Sequence, residues 1–117
     1  MNAKDFKERT KRFAIRIIQF VELMPRSEVG DVLYRQLLRA GSSVGANYRS
    51  ACRARSRAEF IAKMGIVEEE CDESIYWMEL LVGTGRVKPS TIGGLLKESN
   101  EILSLVVASL KTARSRK

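Results

Sequence analysis

Between Lys4 and Met24 the apolar residues Phe6, Phe13, Ile17, Phe20 and Met24 recur at spacings of three, four and seven, with Ala14, Ile18 and Val21 widening the stripe. This is the period of an amphipathic helix. The pattern predicts a helix over about 4–24, ended by Pro25, whose ring disfavours helical backbone at the residue before it. Ser27 then offers an N-cap, with Glu28 and Asp31 in the first turn, where acids complement the helix dipole. A second helix is predicted over about 28–55, with the stripe Leu33, Leu37, Ala40, Val44, Asn47, Ala51 and Ala54 repeating almost as a heptad. Gly41 and Gly45 interrupt it, each at a cost of about 1 kcal/mol relative to alanine. They imply either a local bend or a backbone that another helix approaches closely.

Ser56-Arg-Ala-Glu59 has the pattern of a capping box and predicts a third helix over about 57–83. Its stripe is Phe60, Ile61, Met64, Val67, Cys71, Ile75, Met78, Leu81 and Val82, and Gly83 and Gly85 suit its end. After a loop to Pro89, Ser90 or Thr91 can cap a fourth helix over about 91–113. That helix carries Ile92, Leu95, Leu96, Ile102, Leu103, Val106, Val107 and Leu110, and the basic tail beyond it is expected to fray. Helices this long joined by turns this short run antiparallel to their neighbours, because a short turn cannot span a helix of roughly 30–40 Å. The fold class expected is all-α: an antiparallel up-down-up-down four-helix bundle, with residues 1–117 forming a single domain.

Composition adds constraints on location and chemistry. No apolar run approaches the roughly 20 residues that span a bilayer. Charge begins at Lys4, so neither a membrane helix nor a signal peptide is expected and the cytoplasm is the default. Cys52 and Cys71 read as small buried hydrophobes, although their number is compatible with a single disulfide. With no histidine in the chain, the Glu-x-x-His pairs of di-metal bundles cannot form. A Ser-His-Asp set, a Cys-His pair and a phosphate-binding glycine loop are missing too, so no enzyme, metal or cofactor is expected.

The formal net charge is +7 and the pI about 9.8. Antiparallel topology gathers the excess at one pole: Lys7 and Lys11 of the first helix, Arg53, Arg55 and Arg57 of the second turn, and Arg114, Arg116 and Lys117 of the tail. Lys4, Arg9 and Arg12 lie alongside, opposed there only by Asp5, Glu8 and Glu59. Such a field attracts phosphate backbones through counterion release; alternatively it only keeps the protein soluble. No aromatic cluster accompanies it for base stacking.

The acids of the third helix have an internal use. A hairpin about residues 55–57 places Arg39 near Glu70 and Glu73, Arg35 near Glu79, and Arg53 near Glu59. Asn47, on the apolar stripe, needs a hydrogen-bond partner and is expected to fix helix register. Tyr48, Tyr76 and Trp77 are packing residues with polar tips, and Tyr76 and Trp77 would suit a subunit interface if exposed.

Taken together, Leu23-Met-Pro25, Gln36-Leu-Leu-Arg39, Ser43-Val-Gly-Ala-Asn47, Arg53-Ala-Arg-Ser-Arg-Ala-Glu-Phe60 and Val67-Glu-Glu-Glu-Cys-Asp-Glu73 followed by Trp77 resemble the four-helix-bundle family named for proteins encoded in intervening sequences of bacterial 23S ribosomal RNA genes. The resemblance implies a homo-oligomer. It extends to the accessory proteins of diversity-generating retroelements, which form pentameric rings and bind a reverse transcriptase and nucleic acid through a basic surface. The expected function is therefore a non-enzymatic oligomeric bundle that binds RNA or DNA, or a nucleic-acid-processing protein. The alternative is a protein-interaction scaffold.

Overall fold

In the computed structural model, which describes residues 2–116, the chain forms α1 (Ala3–Glu22), α2 (Glu28–Cys52), α3 (Arg57–Gly83) and α4 (Pro89–Ser115). Three starts are capped by a side chain that accepts from a free backbone N–H of the first turn: Asn2 from Asp5 (2.8 Å), Ser27 from Gly30 (2.9 Å) and Ser56 from Glu59 (3.1 Å). The last is the serine half of the expected capping box. α4 departs from expectation. Neither Ser90 nor Thr91 caps it; the N-cap is Lys88, and Pro89 takes the first helical position, where its missing N–H would have had no partner anyway. α4 also runs on to Ser115 instead of fraying after residue 113.

α2 stops at Cys52, three residues short of the predicted end. The extended backbone that Ser56 needs as a cap forces the reversal to begin at Arg53. α3 closes in a Schellman motif, with Gly85 at φ 75°, its N–H donating to the Val82 carbonyl and that of Arg86 to Leu81 (both 3.0 Å).

Side-chain contacts establish the topology. Phe6 meets Tyr48 and Phe20 meets Tyr34, both edge to face, so rising numbers in α1 pair with falling numbers in α2. Arg39 reaches Glu70 and Glu73 across α2 and α3, Cys71 lies against Ser99 across α3 and α4, and Arg9 reaches Glu98 across α1 and α4. Each helix packs on its two neighbours in the square, and among the described residues the backbones of diagonal helices come no nearer than 8 Å between Cα atoms. The result is an up-down four-helix bundle measuring 49 × 21 × 19 Å.

The core follows the predicted stripes of α1, α3 and α4 apart from Ile18 and Val107, which are exposed, and departs further from the stripe of α2. There the buried residues are Gly30, Tyr34, Leu37, Ala40, Gly41, Val44, Gly45, Tyr48 and Ala51, while Leu33, Asn47 and Ala54 are only half-buried. Like every helix here α2 packs on two neighbours, but its face towards α1 includes small residues, so Gly41 and Gly45 are buried there in addition to the apolar stripe. A Cβ on Gly45 would lie 3.2 Å from the Thr10 hydroxyl, and one on Gly41 would overlap the Ile17 Cδ1. Close approach therefore accounts for both positions.

Thr10, Ser74 and Ser99 are buried yet satisfied, because each hydroxyl donates to the carbonyl four residues earlier (3.0, 2.8 and 2.8 Å). Both cysteines are free thiols, and burial pushes that of Cys71 up to about 12.

Candidate nucleic-acid interface

The basic pole is assembled by three chain segments. The reversal after α2 leaves Arg53 as its C-cap and exposes Arg53, Arg55 and Arg57; the start of α1 brings Lys7 and Lys11; the final turn of α4 brings Arg114, with Arg116 just beyond. Of these only Lys7 is partly covered, and none forms an ion pair among the described residues. Lys117, the last of the predicted set, lies outside the described residues.

Two grooves open beside the pole. One, of about 480 Å³, runs between α1 and α2 and is lined by Lys7, Glu8, Lys11, Ala14, Ser42, Gly45, Ala46, Arg49 and Arg53. The other, of about 720 Å³, lies between α3 and α4, with Phe60, Leu105, Ala108 and Ala113 as its apolar lining and Arg57 and Arg116 among its polar residues. Sequence reasoning overlooked Arg49, although in the predicted helix over 28–55 its four-residue spacing from Arg53 would have placed both on one face.

Other cations are withdrawn from the pole. Arg9, expected to contribute to its field, instead forms a two-pronged bond with Glu98 (2.9 and 2.7 Å) and sits 3.6 Å from Glu101. Arg39 bridges Glu70 (3.0 Å) and Glu73 as expected, and the Glu73 carboxylate also accepts from the Trp77 indole (3.2 Å). The expected pairs Arg35–Glu79 and Arg53–Glu59 do not form among the described residues. With α2 ending at Cys52, Arg53 leaves the helix face that would have carried it towards Glu59.

Asn47 needs correction as well. Half-buried, it donates to the Ser43 carbonyl of its own helix (2.8 Å), a bond that cannot set the register between helices. Tyr76 is 52% exposed and stands edge to face against Trp77, which packs on the core. Among the described residues no group of three or more potential metal ligands gathers, and no helix is long and apolar enough to cross a membrane.

Residues 4–108 match the pattern of the family described as 23S rRNA-intervening sequence protein. The chain belongs to that family. A solved structure, that of a protein of unknown function from the S23 ribosomal protein family of Bacteroides thetaiotaomicron VPI-5482, is similar: it is 34% identical, with a TM-score of 0.87 over 95% of this chain and 99% of that one. No curated protein matches.

In this 23S rRNA-intervening sequence family member the Arg9–Glu98 pair is expected to make the α1–α4 seam weaker in acid. The hydrogen bond from Arg9 holds the Glu98 carboxyl below its usual range against the opposing effect of burial, and the charges of Arg9, Arg16 and Arg12 add to it. A depressed carboxyl stabilises the fold above its unfolded pKa of about 4.3 and loses that contribution as pH falls through the lower folded value. Glu98→Gln is therefore expected to lower the urea midpoint at pH 7 and to approach the parent at pH 3. An equal deficit at both pH values would contradict this account.

Proposed function

We propose that this protein is a non-enzymatic, homo-oligomeric helical bundle that binds nucleic acid through its basic pole. The observation that carries the reading is the division among the arginines. Arg9, Arg26 and Arg39 are paired with acids, and Arg12, Arg16, Arg35 and Arg86 are exposed and unpaired elsewhere on the surface. Only at the basic pole do Arg55, Arg57, Arg114 and Arg116 stand together, exposed and unpaired among the described residues. An unneutralised cluster binds polyanions by releasing their counterions, whatever the sequence. The family's description, 23S rRNA-intervening sequence protein, names no ligand. Exposed Tyr76 beside Trp77 supplies a surface for assembly, and oligomerisation would multiply the basic poles. The resemblance to diversity-generating retroelement accessory proteins further suggests a pentamer that serves a reverse transcriptase.

The test is binding to random-sequence RNA and DNA at several salt concentrations, with the solution mass measured alongside. Affinity is expected to fall by about two orders of magnitude between about 50 and 200 mM salt. Charge reversal at Arg55, Arg57, Arg114 and Arg116 should weaken binding, and the mass should be a multiple of 13.2 kDa. Absence of binding at low salt, or affinity indifferent to salt, would refute the nucleic-acid reading.

A second reading, a protein-interaction scaffold, is favoured by Leu23, Val29 and Val32, exposed at 81%, 53% and 49% near the opposite end. Recovery of one stable protein partner after nuclease treatment would support it.

A further inference from the structure

The groove between α1 and α2 differs from the tip of the pole in geometry. Lys7 and Lys11 stand one turn apart on its α1 wall, and Arg49 of α2 with Arg53, the C-cap just beyond that helix, line the other wall. Four helical residues advance about 6 Å, so Lys7 and Lys11 present two cations in line along the bundle axis, and Arg49 and Arg53 flank them from the other wall. The two rows face each other because Gly45 lets α2 close on Thr10 of α1. None of the four is in an ion pair among the described residues, and Glu8 is the one acid in the lining. The lining holds no aromatic ring, so nothing in it stacks on bases.

Paired rows of cations suit a ligand whose negative charge repeats along a line and is met from both sides. We infer that the α1/α2 groove seats a single nucleic-acid strand by its phosphodiester backbone, with Lys7 and Lys11 on one side and Arg49 and Arg53 on the other. This rests on the proposed nucleic-acid binding and specifies where the strand lies. The α3/α4 groove, with its apolar lining and fewer cations, offers no such pair of rows.

The experiment measures binding of the full chain to an oligothymidylate by fluorescence anisotropy across a salt series. A groove variant (Lys7→Gln, Lys11→Gln, Arg49→Gln, Arg53→Gln) is compared with a tip variant (Arg55→Gln, Arg57→Gln, Arg114→Gln, Arg116→Gln), with folding checked by circular dichroism. Four lost phosphate contacts reduce the slope of log affinity against log salt by about 2.8 for a single strand, and that reduction is expected of the groove variant. The tip variant should keep most of the parent slope. A tip variant that loses as much slope as the groove variant, or more, would overturn the inference and leave the proposed function standing. No binding by the parent protein at low salt would remove the functional reading itself. If the fourfold groove variant fails to fold, Arg49→Gln alone should lower the slope by about 0.7, and an unchanged slope would overturn the inference equally well.

Discussion

Gly41→Leu is expected to be strongly destabilising at the seam between α1 and α2. The first carbon of any side chain there would overlap the Ile17 Cδ1 and lie 3.4 Å from both Ile17 Cγ1 and Cγ2. Ile17 is fully buried, so it has no solvent-filled space into which to retreat. Leucine adds three further carbons, which can be housed only if α1 moves away from α2. Overpacking of this kind costs about 1–3 kcal/mol and sometimes more, a large fraction of the roughly 5–15 kcal/mol by which a domain is stable. Thermal melting followed by circular dichroism would show a sharply lowered midpoint or no cooperative transition. Gly41→Ala separates the two forces at work. Alanine favours the helix by about 1 kcal/mol over glycine, which offsets part of the cost of displacing the buried Ile17 Cδ1, so Gly41→Ala should cost less than Gly41→Leu. Adding Ile17→Val removes the overlapping methyl, so Gly41→Ala should be more favourable in that background than in the parent. A parent-like melting temperature for Gly41→Leu would mean that the helices are not in close contact here.

Phe6→Ala is expected to cost about 3–5 kcal/mol, the usual range for removing a buried aromatic ring. Phe6 is fully buried and meets Tyr48 edge to face at a centroid distance of 4.7 Å, so its loss empties a cavity and breaks an aromatic pair. Chemical denaturation should show the loss as a lower midpoint. Leu23→Ala, at a site 81% exposed, should change stability by no more than about 0.5 kcal/mol. Phe6 also precedes Lys7, and Tyr48 precedes Arg49, so the pair pins together the two walls of the α1/α2 groove. Phe6→Leu keeps most of the apolar volume and should retain the fold at a smaller cost. A Phe6→Ala protein as stable as Leu23→Ala would place the start of α1 outside the core.

Much of the fold was legible because helix period, caps and breakers act over a few residues. The stripe of α1, Ser27 and Ser56 as caps, and Gly85 at the end of α3 all depend on neighbours within about two turns. The fourth start was missed because a proline at the first helical position competes with Ser90 and Thr91, and weighing the two locally favoured the hydroxyls. The Arg39 pairs with Glu70 and Glu73 were legible because a short reversal fixes the register of α2 against α3.

The candidate site was legible in charge but less so in shape. From the sequence, antiparallel topology already brings Arg53, Arg55, Arg57, Arg114 and Arg116 to one end, a consequence of helix length and turn length alone. Only the tertiary structure decides which cations stay free. Arg9 is taken by Glu98, 89 residues away, and that pairing depends on how α1 and α4 rotate about their axes. Likewise Arg49 joins Lys7 and Lys11 because the glycines of α2 turn towards α1, which a single apolar stripe could not reveal. A helix buried on two sides has two overlapping stripes, and periodicity reports their sum. Period therefore determined the elements and their order, while packing against particular neighbours determined the faces, the pairs and the groove.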